Sequence, residues 1–242
     1  MADILELKSL DKSFGALVVS DNLSFALETG NALGVIGPNG AGKTTMFNLI
    51  TGTLRADGGE ILYAGRNIAG QSAAVRARAG IARSFQVPQP FSGMTVFENT
   101  LVAATTAAGL GIHHANPHCL EVLDRTGLID KANQLAGSLT LLERKQLELA
   151  RALAANPKLL LLDEIAGGLT EHECQLLVST VRSVRETGVT IIWIEHIVHA
   201  LIAVVDRLLV LDFGRKIADG EPRAVMADGK VREIYMGIEA DV

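Results

Sequence analysis

The chain has 242 residues, of which 48% are hydrophobic, so it can bury a large core as one α/β unit or as two closely joined subdomains. Its formal net charge of −5 and sequence pI of about 5.7 give it no basic footprint for nucleic acid. The longest apolar runs reach about a dozen residues, against the roughly 20 that cross a bilayer, so no membrane-spanning helix is expected.

The first chemical motif lies in the N-terminal part, where residues 1 to about 86 are predicted to form strands, turns and one helix. A short apolar run, Ala32–Ile36, precedes residues 37–45, which read Gly-Pro-Asn-Gly-Ala-Gly-Lys-Thr-Thr. Helix-compatible residues 44–50 follow, and Gly52 stands where a helix C-cap is expected. Residues 37–45 match the phosphate-binding loop pattern G-x-x-x-x-G-K-[ST], in the strand–loop–helix context that the pattern requires.

This loop, called the P-loop below, has the residue types that a phosphate site needs. Its glycines allow a tight turn in which successive N–H groups point at phosphate oxygens. Lys43 can reach the β- and γ-phosphates, and Thr44 can offer its hydroxyl to Mg²⁺. A glycine-rich turn that binds nothing is disfavoured, because chance matches to the pattern are rare. The predicted nucleotide-binding residues here are Gly37, Pro38, Asn39, Gly40, Ala41, Gly42, Lys43, Thr44 and Thr45.

From Pro88 to about Pro157 the pattern changes and is mainly helical. Apolar stretches begin at Thr95, at Glu121 and near Leu141, and Asn156 followed by proline ends the third. The simplest organisation is therefore an α/β core interrupted by a helical insertion.

A cluster of histidines and a cysteine in the insertion suggests a metal site, but we interpret it as a loop that binds no metal. Within seven residues it contains His113, His114, His118 and Cys119. Their spacing fits no standard zinc pattern, and glycines and a proline lie beside them. We expect a solvated loop here.

A second chemical motif follows the insertion. Residues 159–162 are four leucines that end in Asp163 and Glu164, which is typical of a buried parallel strand with acids at its carboxyl end. Ligands bind at that edge of a parallel sheet. We interpret Asp163 as a Mg²⁺ ligand and Glu164 as the general base that polarises the attacking water. Further strands are predicted at 190–194 and 207–211.

Read together with both motifs, several short segments carry a family resemblance. They are residues 12–15, 83–88, 94–99, 139–153, 159–169 and 193–196. On these segments the chain resembles the ATPase subunit of an ATP-binding-cassette (ABC) transporter over essentially its whole length. Residues 33–43, 47–52, 210–214 and 231–237 are similar to the branched-chain amino-acid uptake subfamily.

The resemblance implies a fold. It is an α/β P-loop NTPase core with an N-terminal antiparallel β-subdomain and an inserted α-helical subdomain, together forming a single ABC ATPase domain over residues 1–242. Residues 1–87 and 158–242 would form the nucleotide-binding core with the β-subdomain. Residues 88–157 would form the helical subdomain that carries the signature region.

The resemblance also implies roles for three residues outside the two motifs. Phe14 matches the aromatic residue that stacks on adenine, with an ordinary core phenylalanine as the alternative. Gln86 matches the glutamine that reaches Mg²⁺ and the γ-phosphate at the hinge to the insertion, with a solvated loop residue as the alternative. His196 matches the histidine that contacts the γ-phosphate and stabilises transition-state charge, with a structural histidine as the alternative. The expected catalytic residues are Lys43, Gln86, Glu164 and His196, and the expected metal ligands are Thr44, Gln86 and Asp163.

One part of the family pattern is altered. In this family two ATPs are sandwiched between two ATPase subunits, and each site borrows a signature, commonly Leu-Ser-Gly-Gly-Gln, from the other subunit. Here the signature segment, residues 139–143, reads Leu-Thr-Leu-Leu-Glu. Leu139, Thr140 and Leu142 would contact the partner's nucleotide, although leucines stand where glycines allow close approach. The pattern is also altered at Ile165, Thr170 and Ile197.

The implied function is an importer ATPase that uses ATP and Mg²⁺ and drives a separate transmembrane permease. Its other partners would be a second ATPase subunit, identical or different, and indirectly an extracellular or periplasmic solute-binding protein, with no nucleic acid. Two distant cysteines and the lack of a signal segment suit the cytoplasmic face of the cell membrane. Branched-chain or other hydrophobic amino acids are the expected solutes, and amides, urea or small acids stay open. The alternatives are a soluble ABC protein acting on nucleic acid or ribosomes, an exporter, and another P-loop enzyme such as a nucleotide kinase or GTPase.

Overall fold

The computed structural model describes residues 2–236, which form the following elements in chain order. The N-terminal part contains β1 (Asp3–Phe14), β2 (Leu17–Glu28), β3 (Ala32–Ile36), α1 (Lys43–Thr51), β4 (Gly58–Tyr63), β5 (Arg66–Asn67), α2 (Ala73–Arg78) and β6 (Ile81–Arg83). The middle contains α3 (Val96–Thr106), α4 (Ile112–Arg125), single 3₁₀ turns at Ile129–Lys131 and Ala136–Ser138, and α5 (Leu141–Ala154). The last part contains β7 (Leu159–Asp163), α6 (Glu171–Glu186), β8 (Thr190–Ile194), α7 (Val198–Ile202), β9 (Arg207–Asp212), β10 (Arg215–Gly220), α8 (Pro222–Ala227) and α9 (Gly229–Met236).

The strands form two sheets. A four-stranded antiparallel sheet has the order β2-β1-β4-β5, and a six-stranded sheet has the order β10-β9-β3-β8-β7-β6. All neighbours in the larger sheet are parallel except β10 and β9. The strand that precedes the P-loop, β3, therefore lies between β8 and β9, which come from the last third of the chain.

The six-stranded sheet is covered on both faces. Every residue of β3, β7 and β8 is buried, as expected for the continuous apolar runs of a central parallel sheet. One face packs with the smaller sheet and α1 in a core that includes Leu5, Phe47 and Ile192. The other face packs with helices α5 to α7 in a core that includes Leu147 and Trp193.

Most element boundaries follow the sequence patterns. Strands β3 and β7 occupy the predicted apolar runs, and α1 ends at Gly52, which has φ of 77° as an αL C-cap requires. Helices α3 and α5 begin after Thr95 and Thr140, and each threonine forms a capping box with the glutamate three residues later. The last residue of the similar segment 231–237 lies outside the described residues.

The predicted loop around the histidine and cysteine cluster is wrong. All four residues lie on α4, which begins at Ile112 rather than at Glu121. Apolar residues at helical spacing, Ala115, Cys119 and Leu123, are fully buried, and this burial outweighs the neighbouring glycines and proline. The His118 Nε2 atom lies 3.2 Å from the carbonyl oxygen of Ala154 in α5, so the segment is packed against the next helix.

Within residues 2–236, none of the helices is both long and apolar enough to cross a bilayer.

A hydrogen bond to a side chain holds the start of strand β3, in addition to the backbone hydrogen bonds of the sheet. The Asp206 Oδ2 atom accepts a hydrogen bond of 2.9 Å from the Ala32 backbone N–H. Its Oδ1 atom pairs with the Arg185 guanidinium from α6. One carboxylate thus joins β3, β9 and α6 at the amino edge of the sheet.

We expect Asp206→Ala to lower the free energy of unfolding by about 1–2 kcal/mol, because it leaves the Ala32 N–H without its acceptor and removes the carboxylate partner of Arg185, which keeps the Val204 carbonyl oxygen as an acceptor. Urea denaturation followed by circular dichroism measures this. Asp124→Ala, at an exposed aspartate on α4, is the matched control and should change stability little. Equal stability of both variants would contradict the role of Asp206.

Candidate active site

The P-loop follows β3 and is wedged between two other segments. A Cβ atom at Gly37 would lie 2.1 Å from the Leu211 carbonyl oxygen of β9. A Cβ atom at Gly42, where φ is 97°, would lie 2.4 Å from the Val19 carbonyl oxygen of β2. Only glycine fits at either position, because the loop backbone runs in direct contact with other backbone.

Hydrogen bonds hold the loop and its lysine. The Gly214 N–H, in the turn between β9 and β10, donates to the Ala41 carbonyl oxygen at 3.1 Å. The Lys43 Nζ atom donates to the carbonyl oxygens of Gly37 and Pro38 at 2.8 and 3.1 Å. Burial lowers the pKa of Lys43, while the carboxylates of Glu164 and Asp163 act in the opposite direction. The lysine is thus a buried cation inside the curve of the loop, while Thr44 is exposed at the start of α1.

The end of β7 provides a buried carboxylate. Asp163 is 3% exposed, and its Oδ2 atom accepts a hydrogen bond of 2.6 Å from Arg83 Nη2. Burial raises the pKa of Asp163, and the Arg83 guanidinium opposes this rise. Among the described residues the Oδ1 atom is buried with no hydrogen-bond partner. A buried carboxylate oxygen that lacks a donor fits a hard cation, and the hydroxyl of Thr44 and the amide oxygen of Gln86 are ligands of the same oxygen type.

Arg83 is a site residue that the sequence reasoning did not single out. It ends β6, donates to Asn48 Oδ1 of α1 at 2.6 Å, and lies over the rings of Phe47 and Phe85 at 5.4 and 5.1 Å from their centroids. The side chain is 7% exposed. The only sequence signal for Arg83 was a charged residue directly after the apolar pair of β6. Its partner in β7 could not be predicted from the local sequence pattern.

The candidate base lies one residue beyond the aspartate. Glu164 has φ of 47°, in the left-handed region, and its N–H donates to the Ile194 carbonyl oxygen at 2.9 Å. Its Oε2 atom accepts a hydrogen bond of 2.6 Å from Gln86 Nε2. Its Oε1 atom lies 2.9 Å from His196 Nε2, which acts as donor because an ionised carboxylate only accepts. Three predicted catalytic side chains therefore meet at one carboxylate.

Phe14 is placed at the tip of the β1–β2 hairpin and is 51% exposed, so it is not a core residue. The Lys12 Nζ atom lies 5.5 Å from its ring centroid. The following strand passes the P-loop at Val19. An exposed aromatic ring in this position can provide a stacking surface for a base.

The signature segment lies at the start of α5. Thr140 is the N-cap: its hydroxyl accepts from the Glu143 N–H at 3.4 Å, and Glu143 Oε2 accepts from the Thr140 N–H at 2.9 Å. Leu139 is buried, whereas Leu141 is 47% exposed. A helix N-terminus with an exposed start can bind an anion from a second molecule.

The structure shows where the three other residues that differ from the family pattern lie. Ile165 is buried in the main core, and Ile197 packs against that core. Thr170 is the N-cap of α6 and accepts from the Glu173 N–H at 3.3 Å. A threonine hydroxyl can provide the capping that an aspartate or asparagine would provide.

Comparisons with known proteins agree with this geometry. The model of the ABC transporter family matches residues 20–167. The chain is 33% identical to the high-affinity branched-chain amino acid transport ATP-binding protein BraF of Pseudomonas aeruginosa, in an alignment that covers 97% of this chain and 98% of BraF. The chain belongs to the ABC transporter family of ATP-binding proteins.

Solved structures of this family have the same fold. The ADP conformation of MJ1267, an ATP-binding cassette of an ABC transporter, matches with a TM-score of 0.89 at 30% identity and covers 98% of this chain and 100% of MJ1267. The cbiO1 protein of Clostridium perfringens, part of the ABC transporter complex cbiONQ, matches with a TM-score of 0.85 at 25% identity and covers 98% of this chain and 96% of cbiO1. The family resemblance, the fold class of an ABC ATPase and nucleotide binding are thereby confirmed.

We expect Lys43→Ala to remove most ATP affinity, because the loop loses its mobile cation beside the β- and γ-phosphates. Calorimetric titration of ATP measures this. Lys8→Ala, at a lysine on β1, is the matched control and should bind as the wild type does. Wild-type affinity in the Lys43 variant would rule out the P-loop assignment.

Proposed function

We propose that this chain is the ATP-hydrolysing subunit of an importer for branched-chain or other hydrophobic amino acids. The observation that carries the proposal is the Glu164 carboxylate, held between Gln86 and His196 beside the P-loop and Asp163. The chain is an ABC ATPase by family, and BraF, related over nearly its full length, is a branched-chain amino acid transport protein. No observation favours the alternative of a nucleic-acid or ribosome-associated protein.

The residues divide the chemistry of phosphoryl transfer among them. The P-loop N–H groups and Lys43 bind the phosphates, and Phe14 stacks on adenine. Asp163, Thr44 and Gln86 hold Mg²⁺, which when bound neutralises charge on the phosphate oxygens. Glu164 accepts a proton from the attacking water, and the His196 N–H, which donates to Glu164 in this structure, turns to the γ-phosphate as charge develops.

Hydrolysis requires a second ATPase subunit in this proposal. Its signature segment would cover the P-loop face of this chain, while Leu139, Thr140 and Leu142 of this chain would serve the partner's nucleotide. The N–H groups at the start of α5, with the hydroxyl of Thr140, are the groups available for a γ-phosphate. The partner subunit can be a second copy or a related ATPase.

The coupling to transport would pass through the helical subdomain, residues 88–157. Gln86 lies where the chain enters this subdomain, so its contact with Glu164 can report the nucleotide state to a transmembrane permease. The chain would then work at the cytoplasmic face of the membrane, and a periplasmic or extracellular binding protein would act on the permease. The family is one of transporters, and the relative cbiO1 is part of a transporter complex.

Glu164→Gln should bind ATP but lose at least about 100-fold in turnover, because glutamine keeps the size of the side chain but cannot accept a proton. Steady-state phosphate release and ATP titration measure the two effects. Glu171→Gln, at an exposed glutamate on α6, should behave as the wild type. If Glu164→Gln remains fully active, the general base lies elsewhere.

The altered signature gives a second prediction. Leu141 and Leu142 add side chains where close approach to the partner's γ-phosphate is needed, so Leu141→Gly/Leu142→Gly should raise turnover of the purified chain about tenfold, which is about 1.4 kcal/mol of barrier. The competing view is that backbone N–H groups and Thr140 suffice, since a helix N-terminus binds anions whatever its side chains.

Phosphate release by the double variant decides between the two views. Leu135→Gly, at an exposed leucine before the signature segment, controls for loss of an exposed side chain. Unchanged or lower turnover in the double-glycine variant would reject steric hindrance.

A further inference from the structure

A buried cation in α5 has no part in the proposed chemistry. Lys145 is 4% exposed and lies in the second turn of the helix that Thr140 caps. Its Nζ atom donates at 3.4 Å to the carbonyl oxygen of Gln86 and at 3.4 Å to that of Glu164. A buried ammonium group is costly unless it is bonded or paired, so its two acceptors indicate what it is there to hold.

Those acceptors lie just beyond the end of the β-ladder. Strands β6 and β7 pair up to Arg83 and Leu161, and the last backbone bond between them runs from the Ser84 N–H to the Leu161 carbonyl oxygen at 2.9 Å. Beyond these residues the two segments of the chain are no longer joined to each other by sheet hydrogen bonds. Lys145 joins them again, at the two residues whose side chains hydrogen-bond at 2.6 Å.

The same helix continues this contact along the segment after Gln86. Arg151 donates to the Gln89 carbonyl oxygen at 2.9 Å, and its guanidinium lies 5.1 Å from the ring centroid of Phe91. Helix α5 is therefore attached to the segment 86–91 at Lys145 and again at Arg151.

A buried carboxylate interacts electrostatically with Lys145. Glu195 is 1% exposed, and its charge attracts that of Lys145. Its Oε1 atom accepts from the Ala166 N–H at 2.7 Å, and its Oε2 atom accepts from the His196 N–H at 3.2 Å. Lys145 thus holds the main chain at Glu164 itself, while Glu195 holds it two residues further on, at Ala166, and also at the start of the segment that carries His196.

We propose that Lys145 is a positioning residue that fixes Gln86 and Glu164 relative to the signature helix. The inference rests on the proposed function, because α5 carries at its start the segment that this chain lends to the partner's nucleotide. A shift of α5 on binding that nucleotide would then move the base and the glutamine of this chain's own site through one side chain. The two ATP sites of a dimer would be linked inside each subunit.

The test compares Lys145→Met with Lys145→Arg and with Gln146→Met in the full chain. Methionine keeps the length of the side chain and removes the donors, whereas arginine keeps donors for both carbonyl oxygens. Gln146 is the next residue of α5 and points toward Gly127, so its methionine variant controls for a change on the same helix. ATP stoichiometry and affinity, turnover, and amide hydrogen exchange are measured for each protein.

For Lys145→Met we expect a tenfold or greater fall in kcat, wild-type ATP affinity and stoichiometry, and faster exchange in peptides that cover residues 85–90 and 164–168. Lys145→Arg should recover most of the turnover, and Gln146→Met should match the wild type. A fall in turnover that parallels a loss of ATP-binding stoichiometry would mean a merely structural role and overturn the proposal. So would unchanged exchange in Lys145→Met, or a Lys145→Arg protein as slow as the methionine variant.

These outcomes are distinct from a failure of the proposed function. If the wild-type chain hydrolyses ATP and Glu164→Gln does not, the hydrolytic assignment holds whatever Lys145 does. If Lys145→Met then turns over ATP at the wild-type rate, only the positioning role is lost.

Discussion

Parallel pairing of β3, β8, β7 and β6 brings the carboxyl ends of these strands to one edge of the sheet, and every proposed catalytic group depends on that alignment. Asp163 pairs in register with Ile194, and Glu164, one residue after β7, and His196, two residues after β8, come within hydrogen-bond distance at 2.9 Å. Strand β3 pairs with β8 in the same direction and delivers the P-loop to the same edge. Because the alignment is made by backbone hydrogen bonds between buried strands, the side chains at the edge can be polar without weakening the frame that holds them.

Burying charged groups at this edge nevertheless costs free energy. Four charged residues at this edge are nearly inaccessible to solvent: Lys43, Asp163, Lys145 and Glu195. Burial lowers the pKa of the two lysines and raises the pKa of the two carboxyl groups, so it favours the neutral form of each. Their partners are of three kinds: carbonyl oxygens for the lysines, the Arg83 guanidinium for Asp163 and backbone N–H groups for Glu195. Removing one member leaves a charge or a dipole unpaired, which costs more than the net worth of the pair. Stability and function are therefore tied together at this edge, as is common where a site is built from buried polar groups.

Sequence reasoning recovered what depends on local pattern. The glycine and lysine spacing of the P-loop, the leucine run of β7 and the apolar stretches that begin at Thr95 and near Leu141 are each contained in a few consecutive residues. The part of helix α4 before Glu121 was missed because breaker residues near Pro117 hid an apolar spacing whose burial depends on neighbouring helices. The contacts of Arg83 and Lys145 could not be predicted from local pattern, since they join residues brought together only by the order of strands in the sheet. The roles of Phe14, Gln86 and His196 came from family resemblance rather than from any property of the local sequence.

The place of β3 in the sheet also orders events during translation. The P-loop leaves the ribosome early, but its strand is flanked by β8 and β9, and its glycines are pressed against Val19 and Leu211. The turn that bonds to Ala41 contains Gly214. A nascent chain therefore carries an incomplete nucleotide site until Gly214 has been made, about 170 residues after the P-loop. ATP therefore has no complete site to bind while the first half of the chain is being made, and during that interval both edges of β3 lack the strands that pair with them in the folded protein.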